Sequence, residues 1–145
     1  MIKIVCVGKI KEKYLFDAIN DYLTRLTKYH KVEIIELKDS DIQKEKDAIL
    51  RVINKNDYII CMAIEGKEYS SLELHSKIEN LLINGKSNIT FIIGGSDGIH
   101  KEIKEISNEL MSFSKLTFPH GIFRLLLLEQ LYRIFKIENG ESYHK

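Results

Sequence analysis

From Tyr58 to Ile64 the chain reads Y-I-I-C-M-A-I, with no charged or strongly polar side chain. The run is far too short to cross a bilayer as a helix, which takes roughly 20 residues, and it offers no polar face for a surface helix. It fits a strand covered on both faces, and such strands belong to parallel sheets flanked by helices. Ile2–Val7, Val32–Leu37 and Ile89–Ile93 read as its companions, rich in Ile and Val and bounded by turn residues.

Helical spacing fills the gaps between these runs. After Lys9, Lys11 and Lys13, the residues Tyr14, Leu15, Ala18, Ile19, Tyr22, Leu23 and Leu26 recur on one helical face. Asp39 or Ser40 is placed to cap a helix carrying Ile42, Ala48, Ile49, Val52 and Ile53. Glu65-Gly66-Lys67 closes the third strand, and Ser70-Ser71-Leu72-Glu73 is a capping box for a helix through Leu82 that stops at Gly85. A helix around Ile99–Leu110, an irregular stretch Phe113–Phe118 closed by Pro119, and a last helix over Ile122–Ile137 complete the reading. Strands alternating with helices predict an α/β fold with a mainly parallel sheet flanked by helices, as one domain over residues 1–145.

Composition removes several classes of function. A net charge of +1 cannot grip nucleic acid by bulk electrostatics, so an RNA partner would have to meet a local patch. Cys6 and Cys61 sit apart inside apolar runs and read as buried thiols, and the five histidines show no ligand spacing, so no metal is expected. Without a leader-like start or a spanning segment, the expected setting is the cytoplasm, away from membranes.

Three stretches carry chemistry. Gly94-Gly95-Ser96-Asp97-Gly98 follows a buried strand, at the edge of an open α/β sheet where ligands sit. It matches neither the dinucleotide fingerprint nor the phosphate loop, which disfavours nicotinamide or triphosphate and leaves a nucleoside ligand open. Ser112 through His120, S-F-S-K-L-T-F-P-H, interleaves small hydroxyls with aromatics, and the chain ends in Tyr143-His144-Lys145, groups suited to a base and a phosphate. From composition alone, a rigid turn and a frayed tail are the favoured explanations of the last two. The final helix is apolar round most of its circumference, which predicts burial against a second subunit, with Leu127 and Leu131 as candidate contacts.

The order G-G-S-D-G, S-F-S-K-L-T-F-P-H, R-x-L-L-L-E-Q-L-Y-R and a closing Y-H-K resembles the ribosomal RNA large subunit methyltransferase H family of the SPOUT superfamily. The likeness runs from Val7-Gly8-Lys9 to the last residue and is densest after Phe91. It implies a C-terminal trefoil knot, a homodimer, and transfer of a methyl group from S-adenosylmethionine to N3 of a pseudouridine in large-subunit (23S) ribosomal RNA, on the assembled ribosome. It further implies cofactor contacts from Met62, Gly94 and Phe113-Ser114-Lys115-Leu116-Thr117-Phe118. Catalytic roles would fall to His120, Arg124 and His144, and substrate contacts to Arg124, Tyr143, His144 and Lys145. Met62-Ala63 departs from the family, many of whose members place leucine and an acid there. The competing reading is a non-catalytic ribosome-associated protein on the same fold, which would have no need of the cofactor.

Overall fold

The computed structural model describes residues 1–145. Five strands form one parallel sheet in the order β2-β1-β4-β3-β5, with β1 at Ile2–Val7, β2 at Val32–Leu37, β3 at Tyr58–Glu68, β4 at Ile89–Ile93 and β5 at Glu109–Ser112. The helices α1 (Lys13–Leu26), α3 (Ser71–Ile83) and α5 (His120–Glu138) cover one face. The other face is covered by α2 (Ile42–Val52) and α4 (Lys101–Ile106). The expected α/β class with a helix-flanked parallel sheet is therefore the observed one.

Every residue of β1 and β4 is buried, including Lys3 and Thr90. Both are satisfied by one carboxylate: Lys3 Nζ lies 2.7 Å from Asp57 Oδ2, and the Thr90 hydroxyl donates to the same oxygen at 3.1 Å. The two central strands thus keep a polar pair inside an otherwise apolar layer without stranding a charge.

Several boundaries differ from the sequence reading, each for a tertiary reason. Strand β3 does not close at Glu65-Gly66-Lys67 but continues to Glu68, with an irregularity between Met62 and Lys67 where both pair with Met111. Gly66 permits this, because a Cβ there would fall 2.5 Å from the Met111 backbone nitrogen. The helix expected to reach Leu110 ends at Ile106, and Glu109–Ser112 is a strand. Asn108 Oδ1 accepts the Ile59 N–H at 2.7 Å, and Glu109 accepts the Tyr58 and Tyr69 hydroxyls at 3.0 and 2.7 Å, fastening this stretch to β3. The cap of α2 is Asp41, not Asp39 or Ser40; its side chain accepts the Lys44 N–H.

The last helix also finds more cover within its own subunit than its composition suggested. Leu127 and Leu131 are fully buried beneath it against the sheet, so they are not surface contacts. Ile122 is exposed, and Phe123, Leu125 and Leu126 stay partly so. The tail is not frayed at Tyr143, which sits edge-on to Tyr132 at 5.0 Å, donates to Glu129 at 3.2 Å and lies under the Arg133 guanidinium.

Candidate active site

At the carboxyl ends of β4 and β5 the chain encloses a cleft of about 470 Å³. Its walls are the middle of β3 (Met62, Ala63, Ile64, Glu65), the glycine loop after β4, and the segment Met111–Phe123 apart from Lys115, Gly121 and Ile122. Of the residues expected to hold the cofactor, Met62, Gly94, Phe113, Ser114, Leu116, Thr117 and Phe118 all line this cleft, whereas Lys115 is exposed and does not.

The local structure of each wall follows from its residues. Gly94 is followed by a tight loop in which Gly95 and Gly98 bridge, and a Cβ at Gly94 would fall 2.5 Å from Ile99 Cγ1 and 2.7 Å from the Gly98 carbonyl oxygen. The missing side chain at Gly94 therefore lets the loop close on itself, and both Gly94 and Gly95 line the cleft. In the opposite wall the small hydroxyls shape the chain. The Ser112 hydroxyl donates to the Ser114 carbonyl at 2.9 Å and accepts the Ser114 N–H, while Ser114 Oγ accepts the Leu116 N–H at 3.0 Å. Phe113 stacks on Phe123 with ring centroids 4.8 Å apart, and Phe118 tilts against the same ring at 6.2 Å. These rings form an apolar wall of the cleft.

Sequence reasoning missed Phe123, Met111 and the Glu65–Lys104 pair, whose 2.7 Å contact stands at the cleft mouth. Phe123 was legible only as one apolar residue of a helix, and Met111 fell between the expected helix end at Leu110 and the stretch that follows. No local pattern announced either as lining a site.

His120, the first residue of α5, lies at the lip of the cleft. Its ring packs over Gly8, and its Nδ1 is buried without a hydrogen-bond partner. Arg124, one turn further, is 2 % exposed, and its guanidinium is already engaged: Nη1 donates to Glu36 at 2.6 Å and Nη2 to the Gly8 carbonyl at 3.0 Å. It ties the carboxyl ends of β1 and β2 to α5 and does not line the cleft. Tyr143, His144 and Lys145 do not line the cleft of their own chain either; His144 Nδ1 sits 3.1 Å from Arg133 Nη1 on the outer side of α5.

A cleft of this kind, between a glycine loop and a hydroxyl-aromatic segment leading into the last helix, has a counterpart among known proteins. A family model described as Predicted SPOUT methyltransferase matches residues 1–144. Ribosomal RNA large subunit methyltransferase H of Enterococcus faecalis is 50 % identical to this chain, and that of Streptococcus uberis 48 %, each alignment covering 99 % of both sequences. The chain belongs to this family. The alignments extend over 157 positions against 145 residues here, so this member is about a dozen residues shorter. The crystal structure of a tRNA (m1G37) methyltransferase from Aquifex aeolicus superposes with a TM-score of 0.55 over 92 % of this chain and 70 % of that one. At 14 % identity that likeness speaks for the SPOUT fold alone.

Within this methyltransferase family the thiols need no chemical role. Cys6 and Cys61 are free and buried, and burial pushes the thiol of Cys6 up to about 12 and that of Cys61 to about 11. Both act as small apolar residues, as the sequence implied.

Proposed function

We propose that this chain methylates N3 of a pseudouridine in large-subunit ribosomal RNA, using S-adenosylmethionine, as a homodimer acting on the assembled ribosome in the cytoplasm. The observation that carries this reading is the cleft, which Gly94-Gly95, the rings of Phe113, Phe118 and Phe123, and His120 line together. Both named relatives described above are ribosomal RNA methyltransferases by name, which supports the same class of substrate here.

The residues present fit the cofactor. Met62, Phe113 and Phe118 give apolar walls for adenine, and the backbone of Gly94, Leu116 and Thr117 would offer peptide groups to its polar edge, Lys115 lying outside the cleft. When bound, S-adenosylmethionine supplies a methyl group on a positively charged sulfur, poised for in-line displacement. The protein's contribution is alignment of the acceptor nitrogen, which can provide a large share of the acceleration. His120 is the residue of this chain placed to take the N3 proton. Arg124 serves by positioning, since its two hydrogen bonds hold Gly8 and Glu36 beneath that histidine.

In the homodimer, Ile122, Phe123, Leu125 and Leu126 supply apolar surface for a partner, and the Tyr143-His144-Lys145 end of one protomer meets the cleft of the other. The same reading gives the chain a trefoil knot in its C-terminal part, as the family resemblance implies. Incubation with cofactor carrying a labelled methyl group, offered separately to assembled ribosomes, free large subunits and naked RNA, tests the whole reading. Label should enter large-subunit RNA of assembled ribosomes, at N3 of a pseudouridine. Absence of calorimetric cofactor binding, together with no transfer to any of the three, would favour a non-catalytic ribosome-bound protein.

A further inference from the structure

Beyond His120 the molecule opens a second cavity, of about 560 Å³, lined mainly by charged residues. It is lined by Gly8, Lys9, Lys11, Glu36, Leu37, Lys38, Asp39 and His120, with Leu37 its one apolar member. The sheet puts these lysines together. β1 and β2 are parallel neighbours paired in register to Val7 and Leu37, and the Gly8 N–H donates to the Leu37 carbonyl at 2.8 Å. The chain therefore leaves the two strands side by side, and Lys9, Lys11 and Lys38 emerge at one edge.

The charges in this cavity do not cancel. Lys9, Lys11 and Lys38 are exposed and belong to no ion pair, while most other basic clusters of the fold are paired along helices or across the sheet. Glu36 is taken up by Arg124 at 2.6 Å, whereas Asp39 has no cationic partner. The wall thus carries three unpaired ammonium groups against one unpaired carboxylate. In a chain whose net charge is +1, this is a concentrated cationic surface, and His120 is the one residue that it shares with the cofactor cleft.

We propose that this cavity is the subsite for the phosphodiester backbone flanking the target nucleotide, with Lys9, Lys11 and Lys38 as its phosphate contacts. The inference rests on the RNA methyltransferase reading and adds where the strand lies. A nucleotide whose base reaches His120 from this side keeps its phosphates within the basic cavity while its ring faces the apolar cleft. Lysine suits such a role, being a mobile point charge that tolerates variation in backbone path. The arrangement also gives a nearly neutral protein an entry for a polyanion beside the reacting atoms.

The test compares the wild-type dimer with Lys9→Gln/Lys11→Gln/Lys38→Gln and with a control, Lys31→Gln/Lys55→Gln/Lys86→Gln, whose lysines precede β2, β3 and β4 at the opposite end of the sheet. Binding of a single-stranded RNA oligonucleotide is followed against salt, and methyl transfer to ribosomes is followed at saturating cofactor. Each phosphate contact on a single strand contributes a slope of about 0.7 in log affinity against log salt, so the first variant should lose about two. Its KM for ribosomes should rise roughly tenfold or more, with kcat and cofactor affinity within about twofold of wild type, and the control should follow wild type. An unchanged slope and KM in the first variant, or an equal loss in the control, overturns the subsite. Wild-type protein that binds RNA with the expected slope change but transfers no methyl group upholds the subsite and sinks the reaction; one that does not bind RNA sinks both.

Discussion

Arg124 is where the structure and the resemblance to known methyltransferases ask most from one residue. Sequence order assigns it to the substrate, yet its side chain is 2 % exposed and both terminal nitrogens are engaged. Replacing it by methionine keeps most of the stem and removes only the head group. The Gly8 carbonyl then loses a buried donor, which costs about 1–3 kcal/mol where no water can replace it. The ion pair with Glu36 adds little, since that carboxylate is 39 % exposed and regains water, leaving about 0–1 kcal/mol. Relief of the guanidinium's own desolvation offsets part of this sum, so Arg124→Met should destabilise by about 1–3 kcal/mol. For a chain of this size that is a fall in melting temperature on the order of 3–10 °C.

Far-UV circular dichroism against temperature, and against urea, measures this at one fixed protomer concentration, because dimerisation would couple stability to concentration. Cofactor affinity is measured alongside, as the variant leaves the cleft walls intact. Should Arg124→Met melt with the wild type while losing methyl transfer, the guanidinium would be free in solution and the positioning role refuted. Loss of stability together with activity, partly restored by a lower assay temperature, is the outcome that the geometry requires.

Three other tests follow from the same structure. Burial alone would raise the Asp57 carboxyl, but hydrogen bonds from Lys3, the Asn54 amide and Thr90 hold it below its ordinary value. A depressed folded value means that its stabilisation is present above the unfolded value of about 3.9 and is lost as pH falls through the folded one; Asp57→Asn should flatten the acid limb of the stability curve and lower stability at neutral pH by about 3–5 kcal/mol, as urea titrations across pH would show. Native protein at neutral pH should leave both cysteines unalkylated by iodoacetamide over hours, with two adducts per chain by mass spectrometry only after denaturation. Deleting Tyr143-His144-Lys145 should lower stability by about 1–2 kcal/mol, because Tyr143 packs on Tyr132 and bonds Glu129; a truncated chain melting with the wild type would show that this contact does not persist in solution.

The sequence made the central strands legible because their pattern is dictated locally: a run such as Tyr58–Ile64 has few ways to be buried other than as a covered strand. Strand β5 was not legible. Glu109, Leu110, Met111 and Ser112 have no strand pattern of their own, and they pair with β3 because Asn108 and Glu109 are fastened by residues some 40 to 51 positions distant in the chain. The same holds for Gly66, which reads as a turn and in fact lets β5 approach a strand that carries on past it.

The site divides along that line. Gly94 and residues 113–118 could be singled out since glycine after a buried strand, and hydroxyls between aromatics, are local patterns with a physical meaning. The state of Arg124 could not, because what occupies its guanidinium is a carboxylate 88 positions away and a carbonyl 116 positions away. Lys9, Lys11 and Lys38 likewise became a cluster only once β1 and β2 were laid in register. Two of the three were visible in the sequence merely as charges before a helix. A cavity with an excess of positive charge in a chain of almost no net charge is a property of topology, and it is the parallel pairing of the first two strands that places it beside the cleft.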